Sequence, residues 1–540
     1  MGGTAINKHN HVFIGLLIAL TLLTSALATL SLANADIVQD SAWTTLASMP
    51  TERAGFGVAS MEGKIYAIGG VNSNNQPLTV VEEYNPTINE WTSKRSMPTA
   101  RSGVAVAVYD NKIYVIGGTV GEGFVGNTEI YDPQTNSWTT GTSMPTPRAD
   151  FCAEVVNDTI YLIGGRKYSG SDPFYVETNI NEAYYPVNDS WSTKAALHSA
   201  VQGCASAVVD NKIYIIGGSR QTASSSSLSM VNSNQVYNTI TNTWSSAAPL
   251  SEASSYSAAA ATTGYSAPKA VYYIGGFSGE ECRQTARKLN VSSNSWSEVE
   301  PMPTARGYLG LLVVNDFLYA IGGFDGTNYL ATNERYQPVG YGSVPPQVNI
   351  ISPENKSYRE IVLEYTTNKG VNWIGYSIDE HANVTVTSTI TIRGLSQGGH
   401  KIVMYANDSQ GNIGASNTVN FSIDSVAPIV VFLSPTNRTY DVNDVQLTFL
   451  VNERTSNLEY RLDGQETVQI VGNVTLVALS NGPHSITVFA EDYTGNIDQM
   501  TVHFEVSPFP TLQVIATLVS IIIVVAVAYI LVKLRKRKTQ

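Results

Sequence analysis

The stretch KIYVIGG at Lys112–Gly118 decides the fold, because the chain keeps returning to it. EIYDPQTNSW at Glu129–Trp138 and SMPTPR at Ser143–Arg148 follow it, and this succession recurs six times. Double glycines stand at Gly69/Gly70, Gly117/Gly118, Gly164/Gly165, Gly217/Gly218, Gly275/Gly276 and Gly322/Gly323, and tryptophans at Trp43, Trp91, Trp138, Trp191, Trp244 and Trp296. From each tryptophan to the second glycine that follows is 27 residues in five units, and 32 only from Trp244 to Gly276. A period near fifty with such marks means an array of small sheets.

Before each glycine pair runs an apolar strand (KIYAI, KIYVI, TIYLI, KIYII, AVYYI, FLYAI), preceded by a turn such as Tyr109-Asp110-Asn111 and a second strand of small residues. That pattern predicts a β-hairpin. Beyond the glycines a variable loop leads to a strand ending in tyrosine in five units (Tyr84, Tyr131, Tyr184, Tyr237, Tyr336), then a turn and the tryptophan strand. Each unit is therefore expected to be a four-stranded antiparallel sheet. The glycines suit a place where a strand turns or neighbouring sheets approach too closely for a Cβ. The tryptophan offers a large plate with one polar hydrogen, suited to packing between sheets.

With these marks, residues 41–338 resemble the kelch family, whose motif is a double glycine followed by a Tyr and a Trp at such spacings. The fifth unit departs from it, with Leu289 at the tyrosine position. The resemblance implies a β-propeller, and the repeat count implies six blades. Trp43 has no strand ending in a glycine pair before it, and Tyr336 has no tryptophan at the repeat spacing after it. The segment Ser41–Leu46 is thus expected to be the outer strand of the last blade, closing the ring.

Ten residues past each tryptophan stand Arg53, Arg101, Arg148, Val201, Ser254 and Arg306; two before each tyrosine position stand Glu82, Glu129, Glu182, Gln235, Arg287 and Glu334. Blades with the Arg keep the Glu, and those without it lack both. Joint presence points to structural ion pairs, since losing one partner strands a charge; the resemblance keeps open a role for these arginines at the channel mouth. The loops after the glycines are longest in the third and fourth units, where Arg166, Lys167, Tyr168, Phe174, Tyr175 and Arg220 are the candidate ligand-binding residues, because long loops on a rigid scaffold build binding sites. Simple tolerance of insertion is the competing reading there, favoured by the serines at Ser224–Ser227.

The remainder of the 540 residues frames this array. Hydrophobic residues make up 43% and charged residues only 14%, and helical periodicity is confined to the ends, so the class is all-β. The formal charge of −12 is dispersed and the compact basic cluster is the C-terminal tail, which argues against nucleic acid as a partner. Residues 1–35 read as a secretory signal with a small-x-small site at Ala33-Asn34-Ala35, an uncleaved anchor being the alternative. Residues 512–532 form an uncharged run followed by Lys533, Arg535, Lys536, Arg537 and Lys538, the pattern of a transmembrane helix with a cytoplasmic basic tail at 533–540.

Between propeller and helix, residues 345–425 and 427–506 are two copies of one module: SPENKSY at Ser352–Tyr358 matches SPTNRTY at Ser434–Tyr440. Alternating strands in modules of this length predict β-sandwiches, resembling the tandem Ig-like domains of archaeal and bacterial surface proteins; neither contains the cysteine pair of antibody domains. The fold expected is all-β, a six-bladed kelch propeller followed by two Ig-like sandwiches and one C-terminal transmembrane helix.

Cys152, Cys204 and Cys282 supply no disulfide framework; the first two, at similar positions in adjacent repeats, read as buried thiols rather than a bridge. Sequons at Asn157, Asn188, Asn290, Asn355, Asn383, Asn407, Asn420, Asn437 and Asn473 suit an exported glycoprotein. No catalytic or metal-ligand constellation is evident, and no cofactor is implied. Kelch-family enzymes include a copper radical oxidase, which needs histidines where this propeller has only His198, and a sialic-acid mutarotase. The reading is a single-pass protein of the cell membrane, its bulk outside, that binds an extracellular glycan or protein ligand. An enzyme acting on a sugar is the alternative.

Overall fold

The computed structural model describes residues 42–170, 174–222, 225–508 and 512–537. The expected signal at 1–35 and the last residues of the basic tail lie outside them. The described residues divide into two compact units, with the boundary between Val344 and Pro345.

Among the described residues, the first unit holds six four-stranded antiparallel sheets. In blade 2 the strands run from the axis outward as Ala105–Tyr109, Lys112–Ile116, Thr128–Asp132 and Ser137–Gly141. Innermost strands of successive blades abut in order and the sixth abuts the first, so the array closes. Closure is made in the outer strands as well: Trp43–Thr45 pairs with Tyr329–Tyr336, Trp43 opposite Tyr336. Ile113–Ile116 are buried throughout, because a blade is covered on both faces by its neighbours; hence KIYVI reads as a continuous apolar run rather than an alternating one.

The tryptophan and tyrosine stitch each blade to the one before it. Trp138 Nε1 donates to the Arg95 carbonyl (3.0 Å), while Asn136 Oδ1 accepts both the Tyr131 hydroxyl (2.7 Å) and the Arg95 amide (2.9 Å). Trp91, Trp191 and Trp244 donate likewise to the carbonyls of Ala47, Thr142 and Ala195. In blade 5, where Leu289 replaces the tyrosine, Trp296 still donates to Ala248 (2.8 Å) and Asn294 still accepts the Ala248 amide (2.9 Å). The leucine keeps the packing and loses only the phenol's bond.

In the second unit, Val348–Ser352, Ile361–Thr367 and Ile390–Ile392 form one sheet facing a larger one built around Gly398–Asn407. Ile361, Leu363, Ile402, Met404 and Phe421 fill the space between. Val430–Val506 repeats this arrangement around Leu447, Ile486, Val488 and Phe504. Thr494 Oγ1 and Asn496 Nδ2 of the second module donate to the Asp424 carbonyl at the end of the first (3.0 and 2.8 Å).

His400 and His484 occupy equivalent places. His400 Nδ1 lies 2.6 Å from Asp379 and Nε2 2.7 Å from the Ser396 carbonyl; His484 meets Asp463 and the Ser480 carbonyl, each at 2.7 Å. Two acceptors on one ring favour the doubly protonated imidazolium. The Ser396 carbonyl, against burial and aided by Asp379, raises the His400 pKa; burial lowers that of His484, but Ser480 and Asp463 outweigh it. A raised folded pKa means that this stabilisation is complete below the unfolded value of about 6.5 and is lost as pH rises through the folded value. Thermal unfolding of the second unit is therefore expected at lower temperature at pH 9 than at pH 6. The His400→Gln/His484→Gln variant should flatten that slope, and an unchanged slope would refute the assignment.

Among the described residues, Leu512–Arg537 is one uninterrupted helix, long and apolar enough to cross a membrane.

Candidate functional site

The motif arginines lie inside the blades. Arg53 bonds Glu82 (2.7 Å), Arg101 bonds Glu129 (2.8 Å), Arg306 bonds Glu334 (2.6 Å) and Arg148 bonds Glu182. All four arginines are fully buried. Each also donates to a main-chain carbonyl of its own blade (Ala67, Val115, Leu162, Ala320), and the threonine two residues earlier donates to the other carboxylate oxygen. The charges are consumed within the scaffold. In blade 4, Gln235 exchanges two hydrogen bonds with the Ser199 backbone. In blade 5 the signs are reversed: Arg287 on the strand faces Glu252 on the connecting segment at 3.8 Å. Residue counting missed that pair because Glu252 lies two positions upstream of Ser254.

Two residues beyond each arginine position the chain reaches the axis. Gly55, Gly103, Asp150, Gly203, Tyr256 and Tyr308 all adopt left-handed φ, between 51° and 60°. Their amides form a closed circuit: each donates to the carbonyl of the residue before it in the ring, Gly55 closing on Tyr308, at 2.8–3.1 Å. Glycine takes this conformation freely, whereas side chains there cost about 1–2 kcal/mol each. Blades 3, 5 and 6 thus bear strain to place an aspartate and two tyrosines at the mouth, and strain of this kind collects at functional sites.

Arg166, on the blade-3 hairpin Arg166–Tyr168/Tyr175–Glu177, joins this ring. Its Nε lies 2.5 Å from Asp150 Oδ2, and its guanidinium covers the rings of Tyr175 (4.8 Å) and Phe124 (5.7 Å). Tyr256 and Tyr308 stack at 4.1 Å. Over the glycine side of the ring opens a cavity of about 300 Å³ lined by Gly55, Gly103, Asp150, Arg166, Tyr308, Phe324 and Tyr329. Burial pushes the Tyr308 phenol up to about 12, so at neutral pH it stays a neutral donor. Below the ring the axial channel, about 440 Å³, runs between innermost strands rich in Ala and Val. One carboxyl stands in it, Glu154, which burial pushes up to about 7 with the Ser206 hydroxyl beside it acting the other way.

The candidates named from sequence divide. Arg166 reaches the axial mouth, and Tyr175 packs against its guanidinium without lining the cavity. Lys167, Tyr168 and Phe174 instead wall a second concavity of about 590 Å³ with Glu122 to Phe124, Thr146 and Pro147, where the Tyr168 and Phe174 rings meet edge to face at 4.8 Å and are about half exposed. Arg220, exposed on the blade-4 hairpin, lines neither. Asp150, Tyr256, Tyr308, Phe324 and Tyr329 were not anticipated, although the departure from glycine two residues past the arginine position was a readable signal for the first three.

Residues 65–333 match the family model described as the Attractin/LZTR1 β-propeller. Over 167 residues the chain is 27% identical to the Kelch-like protein terF of Aspergillus terreus, covering 29% of this chain and 36% of that one. It is 36% identical over 109 residues to Halomucin of Haloquadratum walsbyi, 19% of this chain and 1% of that one. With the Kelch repeat-containing protein kel-10 of Caenorhabditis elegans it shares 26% identity over 132 residues, 24% of this chain and 22% of that one. The chain thus spans from 1% to 36% of the length of these curated relatives. The solved structure of YjhT aligns with a TM-score of 0.46 and 17% identity, over 53% of this chain and 96% of that one.

Proposed function

With residues 65–333 forming a propeller of the kelch family, we propose that the protein is a recognition protein held to a membrane by the helix Leu512–Arg537, which binds its ligand at the axial mouth. The two sandwiches, read as Ig-like, serve as a spacer. The observation that carries this reading is the Arg166–Asp150 pair set among aromatic rings over a cavity of about 300 Å³. Such a cavity holds one sugar residue. Aromatic faces pack against its C–H surface, while a guanidinium, a carboxylate and neutral phenols exchange hydrogen bonds with its hydroxyls. Lys167, Tyr168 and Phe174 extend the contact along the blade-3 hairpin.

A sugar-acting enzyme would draw on arginines and carboxylates at the mouth. The four motif arginines are bound to glutamates inside the blades, which removes them from that task.

Glycan-array binding by the full chain tests the reading. Arg166→Ala is expected to weaken binding about 10- to 100-fold, the scale of a lost charged hydrogen bond, with unfolding unchanged elsewhere in the propeller. A binding profile indifferent to Arg166→Ala and to shortening of the blade-3 hairpin would sink the proposal. Turnover of a bound sugar would replace it with the enzymatic reading.

A further inference from the structure

We propose that Cys152 and Cys204 are a covalent modification site, an oxidisable thiol pair that cross-links blades 3 and 4 across the channel wall. The two begin or directly precede the innermost strands Cys152–Val156 and Ala205–Val209 of adjacent blades. Their Sγ atoms lie 2.6 Å apart, nearer to a sulfur–sulfur bond of about 2.05 Å than to the spacing of unbonded neighbours. Both line the axial channel, and Cys204, half-buried, also lines the constriction at the mouth, so a small reagent has a path to it. Cys282 stands on the blade-5 hairpin with its sulfur 3.3 Å from the Phe324 carbonyl and is not a member of the pair.

The oxidant is a low-molecular-weight disulfide. The Cys204 thiolate attacks one of its sulfurs, forming a mixed disulfide and expelling one small thiolate. Cys152 then gives up its proton and attacks the Cys204 sulfur, expelling the second. Two protein thiols are oxidised by two electrons, and one small disulfide is reduced to two thiols. Burial holds the Cys152 thiol well above its usual pKa, which assigns it the second step and makes the reaction slow at neutral pH. The link joins residues 52 apart and restricts the unfolded chain accordingly.

The test exposes the natively folded full chain to oxidised glutathione, then denatures it and alkylates free thiols without reductant. One alkylated cysteine, Cys282, and a Cys152–Cys204 linked peptide are expected by mass spectrometry. The propeller Tm should rise by several degrees and fall back on reduction, and the Cys282→Ser variant should behave identically. Cys152→Ser/Cys204→Ser should show no redox-dependent Tm. Alkylation of all three cysteines after oxidation would overturn the proposal, as would Cys282 found linked as often as either partner.

Discussion

Arg101→Ala is expected to lower the unfolding free energy of the propeller by about 3–5 kcal/mol, the cost of leaving a buried charge unpaired. Glu129 is 3% exposed, and without Arg101 it keeps the Thr99 hydroxyl (2.6 Å) as its remaining side-chain donor. The loss spreads further. Arg101 also donates to the carbonyls of Gly117 (2.7 Å), Asn127 (3.1 Å) and Val115 (3.3 Å), so one side chain joins the apolar strand, the double glycine and the strand beyond the loop. The comparison is Lys269→Ala, which breaks an exposed pair with Asp210 and should change stability by less than about 1 kcal/mol. Arg101→Met/Glu129→Leu should recover much of the loss, because removing both charges removes both desolvation costs. Urea denaturation of the three variants decides the matter; equal effects for Arg101→Ala and Lys269→Ala would show that burial is not what gives the pair its weight.

The same pair shows how far the sequence could be read. The Arg/Glu correlation across blades 1, 2, 3 and 6 was visible because both partners hold fixed positions in the repeat. The swapped pair of Glu252 and Arg287 was hidden because one partner had slipped by two residues. Ring closure through Trp43 and Tyr336 followed from counting marks that lacked a counterpart. The axial ring was harder to see: a left-handed residue announces itself only where it is glycine, and Asp150, Tyr256 and Tyr308 are the positions where glycine is missing. Length drew attention to the hairpins of blades 3 and 4, but length does not tell which side chains turn inward. Arg166 meets Asp150 at the axis, Tyr168 faces outward, and Arg220 joins neither group. The two thiols were placed in adjacent repeats, yet equivalence in a repeat fixes neighbouring strands, not a separation of 2.6 Å.

The strained ring and the buried pairs divide the labour of the fold. Charges that the scaffold uses are locked inside blades 1, 2, 3 and 6, so the mouth presents a guanidinium and a carboxylate that no repeat position demands. A site built from exceptions to the repeat can change its ligand without loosening the blades. Kelch propellers generally bind proteins, and a silent glycan array would favour that class of ligand over the sugar proposed for the mouth.

Gly118→Ala, within the stretch KIYVIGG, is expected to cost about 3–5 kcal/mol and to exceed the loss from a neighbouring glycine chosen as control. Gly118 holds φ at 99°, beyond the left-handed well that other residues visit. A Cβ there would sit 2.6 Å from the Ser102 carbonyl and 2.7 Å from Val104 Cγ1. The carbonyl cannot withdraw, since it receives the Thr119 amide at 2.8 Å in the bridge that leads the chain to the axial ring. Backbone strain of about 1–3 kcal/mol and overpacking of similar size therefore add. Gly121, three residues on, also has a left-handed φ, 57°, but nothing lies within 4 Å of its Cβ position. Gly121→Ala should show the conformational cost alone, about 1–2 kcal/mol. Equal losses at the two sites would mean that the double glycine is kept for its torsion angles, whereas a larger loss at Gly118 means that it is kept because the segment Ser102–Val104, which carries the ring residue Gly103, passes where a side chain would be.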